Sequence, residues 1–269
     1  TSTGSYSDLR FYLGWGEGRV RRARWLKRLY LCLIGAHDSS LHPEKVCRVH
    51  VWSEFSRRMH LEEGYVRPEQ IEVVYPGLPS VNRQEREQGT SKSVTFLFVG
   101  RDFVRKNGAL VLEAFRQVRE NAAGVKLILV SQLPGGVPPP EDGVVHYPPL
   151  SRRDLFARVF TQSDVLILPS RAEGFGLVLL EAMAFGLPVI GVNAWAMPEM
   201  VREGVNGHLI APDSLVELVT CMSRLATDTR HLEALSRGAR APLRERFALQ
   251  THNEQLRHLY EQARSEPHG

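Results

Sequence analysis

From residue 94 onward, short apolar runs alternate with amphipathic stretches, and this alternation restricts the chain to βα units on a parallel sheet. Residues 94–100 (VTFLFVG) read as a strand buried on both faces. Residues 108–119 follow as a helix with Leu112, Phe115 and Val118 turned inward. Further strands are predicted at 125–131, 144–147, 164–169 (DVLILP), 188–192 and 208–210. Between them the pattern predicts helices at 152–161, 176–185 and 198–203, and a Pro/Gly-rich loop at 132–143. Ser214 with Glu217 reads as a capping box, and helices at 230–246 and 249–263 end the chain.

Before residue 81 the pattern is sparser. Residues 19–34 predict a helix with Ala23, Leu26, Tyr30 and Leu33 on one stripe and Arg21, Arg24 and Arg28 on another. Strands at 46–52 and 71–75 flank a helix at 54–62, and the polar stretch 80–92 reads as a linker. The expected division is therefore 1–80 for a partial N-terminal α/β domain, 81–245 for the main domain and 246–269 for a C-terminal helix.

Composition excludes several classes. With 43% hydrophobic and 24% charged residues the chain is neither disordered nor membrane-spanning, and no apolar run approaches the roughly 18 residues that a spanning helix needs. Cys32, Cys47 and Cys221 show neither CxxC nor Cys/His spacing, so they read as free thiols in a reducing compartment, without zinc. From the polar start no signal peptide is expected, and a cytoplasmic location is the expectation. Residues 1–60 hold eleven Lys/Arg against five acids, a local excess that attracts phosphate-rich partners such as anionic lipid, nucleic acid or a phosphorylated metabolite.

The chemistry concentrates in residues 164–191, DVLILPSRAEGFGLVLLEAMAFGLPVIG. A buried strand ends at Pro169, a short loop carries Glu173, and a helix opens near Gly176. Ligands of parallel α/β sheets lie beyond the carboxyl ends of the strands. Gly174 and Gly176 allow close backbone approach, and the N–H groups of Gly176, Leu177 and Val178 suit phosphate oxygens. Glu181 lies about one turn into the helix, and its side chain leans back toward the same pocket, where two acceptor oxygens suit neighbouring hydroxyls.

The spacing Glu173-x7-Glu181 within EGFGLVLLEAMAFGLPV resembles the retaining glycosyltransferases of family 4, which have the two-domain GT-B fold. The resemblance implies a Rossmann-like α/β donor domain that binds a nucleotide-diphosphate sugar. By that resemblance Glu173 contacts hydroxyls of the transferred sugar, Glu181 holds the ribose, and Phe175 to Leu177 bind the phosphates. Gly100-Arg101, followed by Lys106, resembles the family's Gly-Arg…Lys-Gly element. Two such cations neutralise a departing diphosphate without a metal, and no Asp-x-Asp motif is present; Arg105 competes with Lys106 for the role. Leu150 falls where the family lines the base pocket. Fainter likenesses lie in residues 51–56, 71–77, 198–207 and 247–260, the last resembling a helix that crosses back to the N-terminal domain.

The chain departs from the family at three places: Ser131-Gln132 and Trp195-Ala196 stand where glycines are common, and Asn107 separates Lys106 from Gly108. About 80 residues precede the linker where a full domain needs well over 100. The expectation is an N-terminally truncated chain, or one whose acceptor half comes from self-association or a partner chain. His37, His42, His50 and His60 lie in no segment resembling the family's histidine site. The implied function is sugar transfer from a nucleotide sugar to a glycan, lipid or small molecule, with peripheral membrane contact and no nucleic acid. The alternative is a non-catalytic nucleotide-sugar-binding subunit. A phosphorylase is disfavoured, because no lysine segment resembles a pyridoxal phosphate site.

Overall fold

The computed structural model describes residues 48–64, 66–79, 93–122, 124–136 and 141–265. The expected helix at 19–34, Cys32, Cys47, His37, His42 and the linker lie outside the described residues. The described chain divides into two units, one drawn from Thr1–Pro76 and Gln250–Gly269, the other from Gly77–Leu249.

In the first unit, β1 (Val49–Val51) pairs in parallel with β2 (Ile71–Val73), joined through α1 (Glu54–Glu62). Ser53 caps α1 by accepting from the Ser56 N–H at 3.0 Å. The core is small: Val51, Val66 and Ile71, with Val49, Leu61 and Val73 packed against it. His252 on the C-terminal helix, Leu249–Ser265, contacts the Tyr75 carbonyl through Nδ1 at 2.7 Å.

The second unit is a six-stranded, all-parallel sheet. Its strands are β3 (Thr95–Asp102), β4 (Lys126–Gln132), β5 (Val144–Tyr147), β6 (Val165–Leu168), β7 (Val189–Val192) and β8 (Gly207–Ile210). They lie in the order β5-β4-β3-β6-β7-β8. The apolar runs are explained by burial on both faces: Phe96, Leu97, Phe98, Leu127, Leu166, Ile167 and Leu168 are fully enclosed. The chain winds outward from β3 in one direction and from β6 in the other, so the β3/β6 boundary is the sheet's topological switch point.

Four expectations are corrected. In α2 (Gly108–Asn121) the inward residues are Val111, Ala114, Phe115 and Val118, while Leu112 is only partly covered. The helix expected at 152–161 starts as α3 (Arg152–Asp154), widens into a π turn over Leu155–Val159 and tightens to 3-10 at Phe160–Gln162. That widening accompanies a ring cluster in which Phe156, Phe160 and Phe185 lie 5.2–5.5 Å apart. The expected helix at 230–246 is broken into Thr229–Gly238 and Ala241–Glu245, at Gly238, which packs its Cα on the Val205 carbonyl, and Pro242, which has no N–H. The capping box is half formed: Ser214 Oγ accepts from the Glu217 N–H, but the Glu217 carboxylate accepts from the Ala211 N–H.

Candidate functional site

The carboxyl ends of β3 and β6 carry the site. After β3 the chain folds back so that Lys106, 8% exposed, covers the strand end. Gly100 is what permits this, because a Cβ there would sit 2.7 Å from Lys106 Cγ. After β6 the loop Ser170–Glu173 runs to Gly176, whose φ of 88° is a left-handed conformation that glycine adopts freely. α4 (Leu177–Ala184) then begins, and its first N–H groups have no intrahelical carbonyl to bond.

Across the switch point Lys106 Nζ donates to Glu173 Oε2, and each side chain is only 10% exposed. Two residues expected to meet different parts of a ligand are thus each other's partner here. Burial first, and the neighbouring Arg105 second, press the Lys106 ammonium down to about 7, with Asp102 opposing. Arg105 is engaged elsewhere: its Nη1 donates to the Ala172 carbonyl at 2.8 Å and its Nε to Asp102 at 3.3 Å. Its own carbonyl accepts from the Arg171 N–H at 2.9 Å. Arg105 thus laces the two loops together, while Lys106 faces the carboxylate.

Glu181 is the single charged residue of α4, whose neighbours Leu179, Leu180, Ala182, Met183 and Ala184 are buried. A carboxylate in such a setting needs a partner. Arg152, at the start of α3, supplies it with Nη2 2.9 Å from Glu181 Oε1. Burial raises the Glu181 carboxyl above its ordinary value, and Arg152 pulls it partly back. Leu150, two residues before Arg152, is partly buried.

Arg101 is exposed and makes no ion pair among the described residues. It lines an open cleft of about 340 Å³ with Phe103, Val104, Gln132, Leu133 and Pro134. The Phe175 side chain is buried edge-on against Phe247 at 6.2 Å, which leaves its backbone, not its ring, to meet a ligand. Leu177 is exposed and Val178 partly so. Among the described residues no cluster of three or more His, Cys, Asp or Glu could hold a metal, and no helix is long and apolar enough to cross a membrane.

The three sequence departures have local causes. Ser131 Oγ donates to the Gly100 carbonyl at 2.5 Å, so it supports the strand end from within the core. Trp195 and Asn107 both have φ of 60°, the region that a glycine occupies at no steric cost. Arg152 and Asp213, which reach the site's residues from distant segments, carried no motif and were not singled out from the sequence.

Residues 93–228 match the family described as glycosyl transferases group 1. The chain is 33% identical over 165 residues to the D-inositol 3-phosphate glycosyltransferase of Mycobacterium marinum, covering 54% of this chain and 34% of that one. It is 30% identical over 211 residues to the MMP alpha-(1->4)-mannosyltransferase of Mycolicibacterium hassiacum, covering 76% and 51%. It spans between 18% and 56% of the length of these and similar curated relatives. Among solved structures, Anabaena Alr3699/HepE in complex with UDP and glucose superposes with a TM-score of 0.68 at 23% identity, over 80% of this chain and 63% of that one. Sucrose-phosphate synthase from Thermosynechococcus elongatus gives 0.65 at 22%, over 80% and 57%. Both likenesses are of fold, the GT-B type.

Proposed function

Since the chain belongs to the glycosyl transferases group 1, we propose that its second unit is the donor half of a glycosyltransferase that uses a nucleotide-diphosphate sugar. The observation that carries this reading is the buried Lys106–Glu173 pair at the switch point of the sheet, where α/β sheets hold their ligands. A diphosphate takes Lys106 from Glu173, with Arg101 and the first N–H groups of α4 from Gly176 to Val178 as its other donors. Glu173, released, accepts from hydroxyls of the transferred sugar. Glu181, held by Arg152, accepts from the two ribose hydroxyls, and Leu150 flanks the base.

The transfer proceeds with retention. The bond from the anomeric carbon to the diphosphate oxygen breaks as the acceptor oxygen forms its bond on the same face, and the departing diphosphate takes the acceptor proton. Lys106 and Arg101 stabilise the charge that develops on the leaving group, so the step needs no metal. The acceptor is a glycan, a lipid or a small molecule.

Titration of the chain with UDP, GDP and ADP by calorimetry tests the reading. One of them should bind in the presence of EDTA, and Glu181→Ala should weaken that binding by about 1.5–3 kcal/mol, the worth of charge-assisted bonds to the ribose. An unchanged affinity in a folded Glu181→Ala protein excludes Glu181 from the site.

A further inference from the structure

Three non-glycine residues among those described have a left-handed backbone: Asn107 (φ 60°), Trp195 (φ 60°) and Asp213 (φ 56°). Asn and Asp adopt this region more readily than other L-residues, whereas a bulky residue such as Trp rarely does. The three bear on one place. Asn107 Nδ2 donates to Asp213 Oδ1 at 2.9 Å, and Arg171 Nε donates to the same oxygen at 2.8 Å. Trp195 Nε1 points at the Ser170 carbonyl, 3.4 Å away.

Asn107 directly follows Lys106, and Arg171 lies two residues before Glu173. A single carboxylate oxygen, on the loop between β8 and the helix Leu215–Thr227, thus ties the backbone beside Lys106 to the backbone beside Glu173. Asn107 is 1% exposed and its Oδ1 has no hydrogen-bond partner, so the bond to Asp213 is what holds its amide in place. The side chains of Asp213 and Arg171 are both 54% exposed, and an ion pair so wet adds little to stability. A residue whose ion pair adds little to stability, yet which ties two site loops together, has its consequence in the site.

We propose that Asp213 is a positioning residue for the donor: through Asn107 and Arg171 it clamps the loops of Lys106 and Glu173 at the separation that a sugar diphosphate spans. The proposal rests on the donor-site reading above. Asp213 touches no substrate and acts through Lys106.

The test is a mutant cycle on the full chain, with whichever of UDP, GDP and ADP binds it most tightly. Asp213→Ala should weaken binding about tenfold, and Asn107→Gly, which keeps the left-handed backbone but deletes the amide, should do the same. In a Lys106→Gln background, which retains an amide donor for Glu173, Asp213→Ala should change affinity by less than about twofold. Asp213→Asn, whose amide oxygen still accepts both bonds, should recover most of the loss. Asp213→Ala also deprives the buried Asn107 amide of its acceptor, so its melting temperature should fall by about 2–4 °C, whereas Asp213→Asn should move it by no more than about 2 °C. Affinities of Asp213→Ala and Asn107→Gly within about twofold of the parent, or the same loss with and without Lys106, overturn the clamp. If none of the three diphosphates binds the parent, the donor reading fails and the clamp is judged without ligand, by the rate at which acetic anhydride acylates Lys106. A rate at least about threefold higher in Asp213→Ala then supports it, and an unchanged rate overturns it.

Discussion

Glu173 and Glu181 stand eight residues apart in the chain, yet the loop that carries one and the helix that carries the other treat a carboxylate in opposite ways. Glu173 is met by a cation as deeply covered as itself, Lys106, across the switch point of the sheet. Glu181 is embedded in an apolar helix, and its cation, Arg152, is 62% exposed. In the donor site proposed above, the first pair closes the position that a diphosphate needs and must be opened by the ligand, and the second holds a carboxylate ready for hydroxyls and is left in place. The proposed site therefore combines a contact that competes with substrate and one that prepares for it.

The largest effect expected from that contrast is on stability. Lys106→Met removes the partner of a buried carboxylate and should cost about 3–5 kcal/mol. Arg152→Met removes a solvent-screened partner and should cost no more than about 1 kcal/mol. Urea denaturation of both variants measures the difference, and equal midpoints would mean that the two pairs are energetically alike.

A second test uses pH. Burial holds the Lys106 ammonium down to about 7, whereas the diphosphate needs it charged. A nucleoside diphosphate binding above pH 7 must therefore bring a proton with it, and its affinity should fall with rising pH by up to about 1.4 kcal/mol per unit. Calorimetry in buffers of different ionisation enthalpy should register proton uptake at pH 8. At Glu181 the sign is reversed: its carboxyl is raised, so affinity that depends on its charge is lost as pH falls through that raised value. An affinity flat from pH 7 to 9 removes Lys106 from the phosphate contacts.

How much of this was legible in the sequence follows from what each feature depends on. Strands β3, β4, β6 and β7 were readable because burial on both faces demands apolar runs such as VLIL at 165–168. Glu181 was readable from its place one turn into a helix within the Gly-rich frame that resembles family 4, and the structure adds that it is the single charged residue of α4. Lys106 was readable as a phosphate cation, but its pairing with Glu173 was not, nor was the pairing of Arg152 with Glu181, because both cations reach their carboxylates from distant segments and nothing local in an exposed arginine marks its contact. The π turn at Leu155–Val159 was invisible for a related reason: it follows from how Phe156 and Phe160 meet Phe185, and a helical period alone does not encode that. Asn107 and Trp195 read as departures until their backbone angles were known, and those angles explain why glycine suits both positions.

The smallest effect is the most discriminating, because the two regions predict opposite signs for one substitution. Glu173→Ala frees Lys106 from its partner, so a nucleoside diphosphate no longer has to displace a carboxylate. It also no longer leaves that carboxylate buried and alone once it has done so. Diphosphate affinity should therefore rise, by about 1 kcal/mol. A nucleotide sugar gives Glu173 its hydroxyls in place of Lys106, so for the sugar form the same substitution deletes a contact, and affinity should fall by a similar amount. Glu181→Ala, by contrast, should weaken both ligands alike, since both carry the ribose. Competition binding of UDP and UDP-glucose, the nucleotide and sugar that the Anabaena structure contains, reads both numbers in one experiment. Parallel loss of both ligands in Glu173→Ala would mean that Glu173 contributes to the nucleotide as Glu181 does, and that the buried pair with Lys106 is no barrier to the donor.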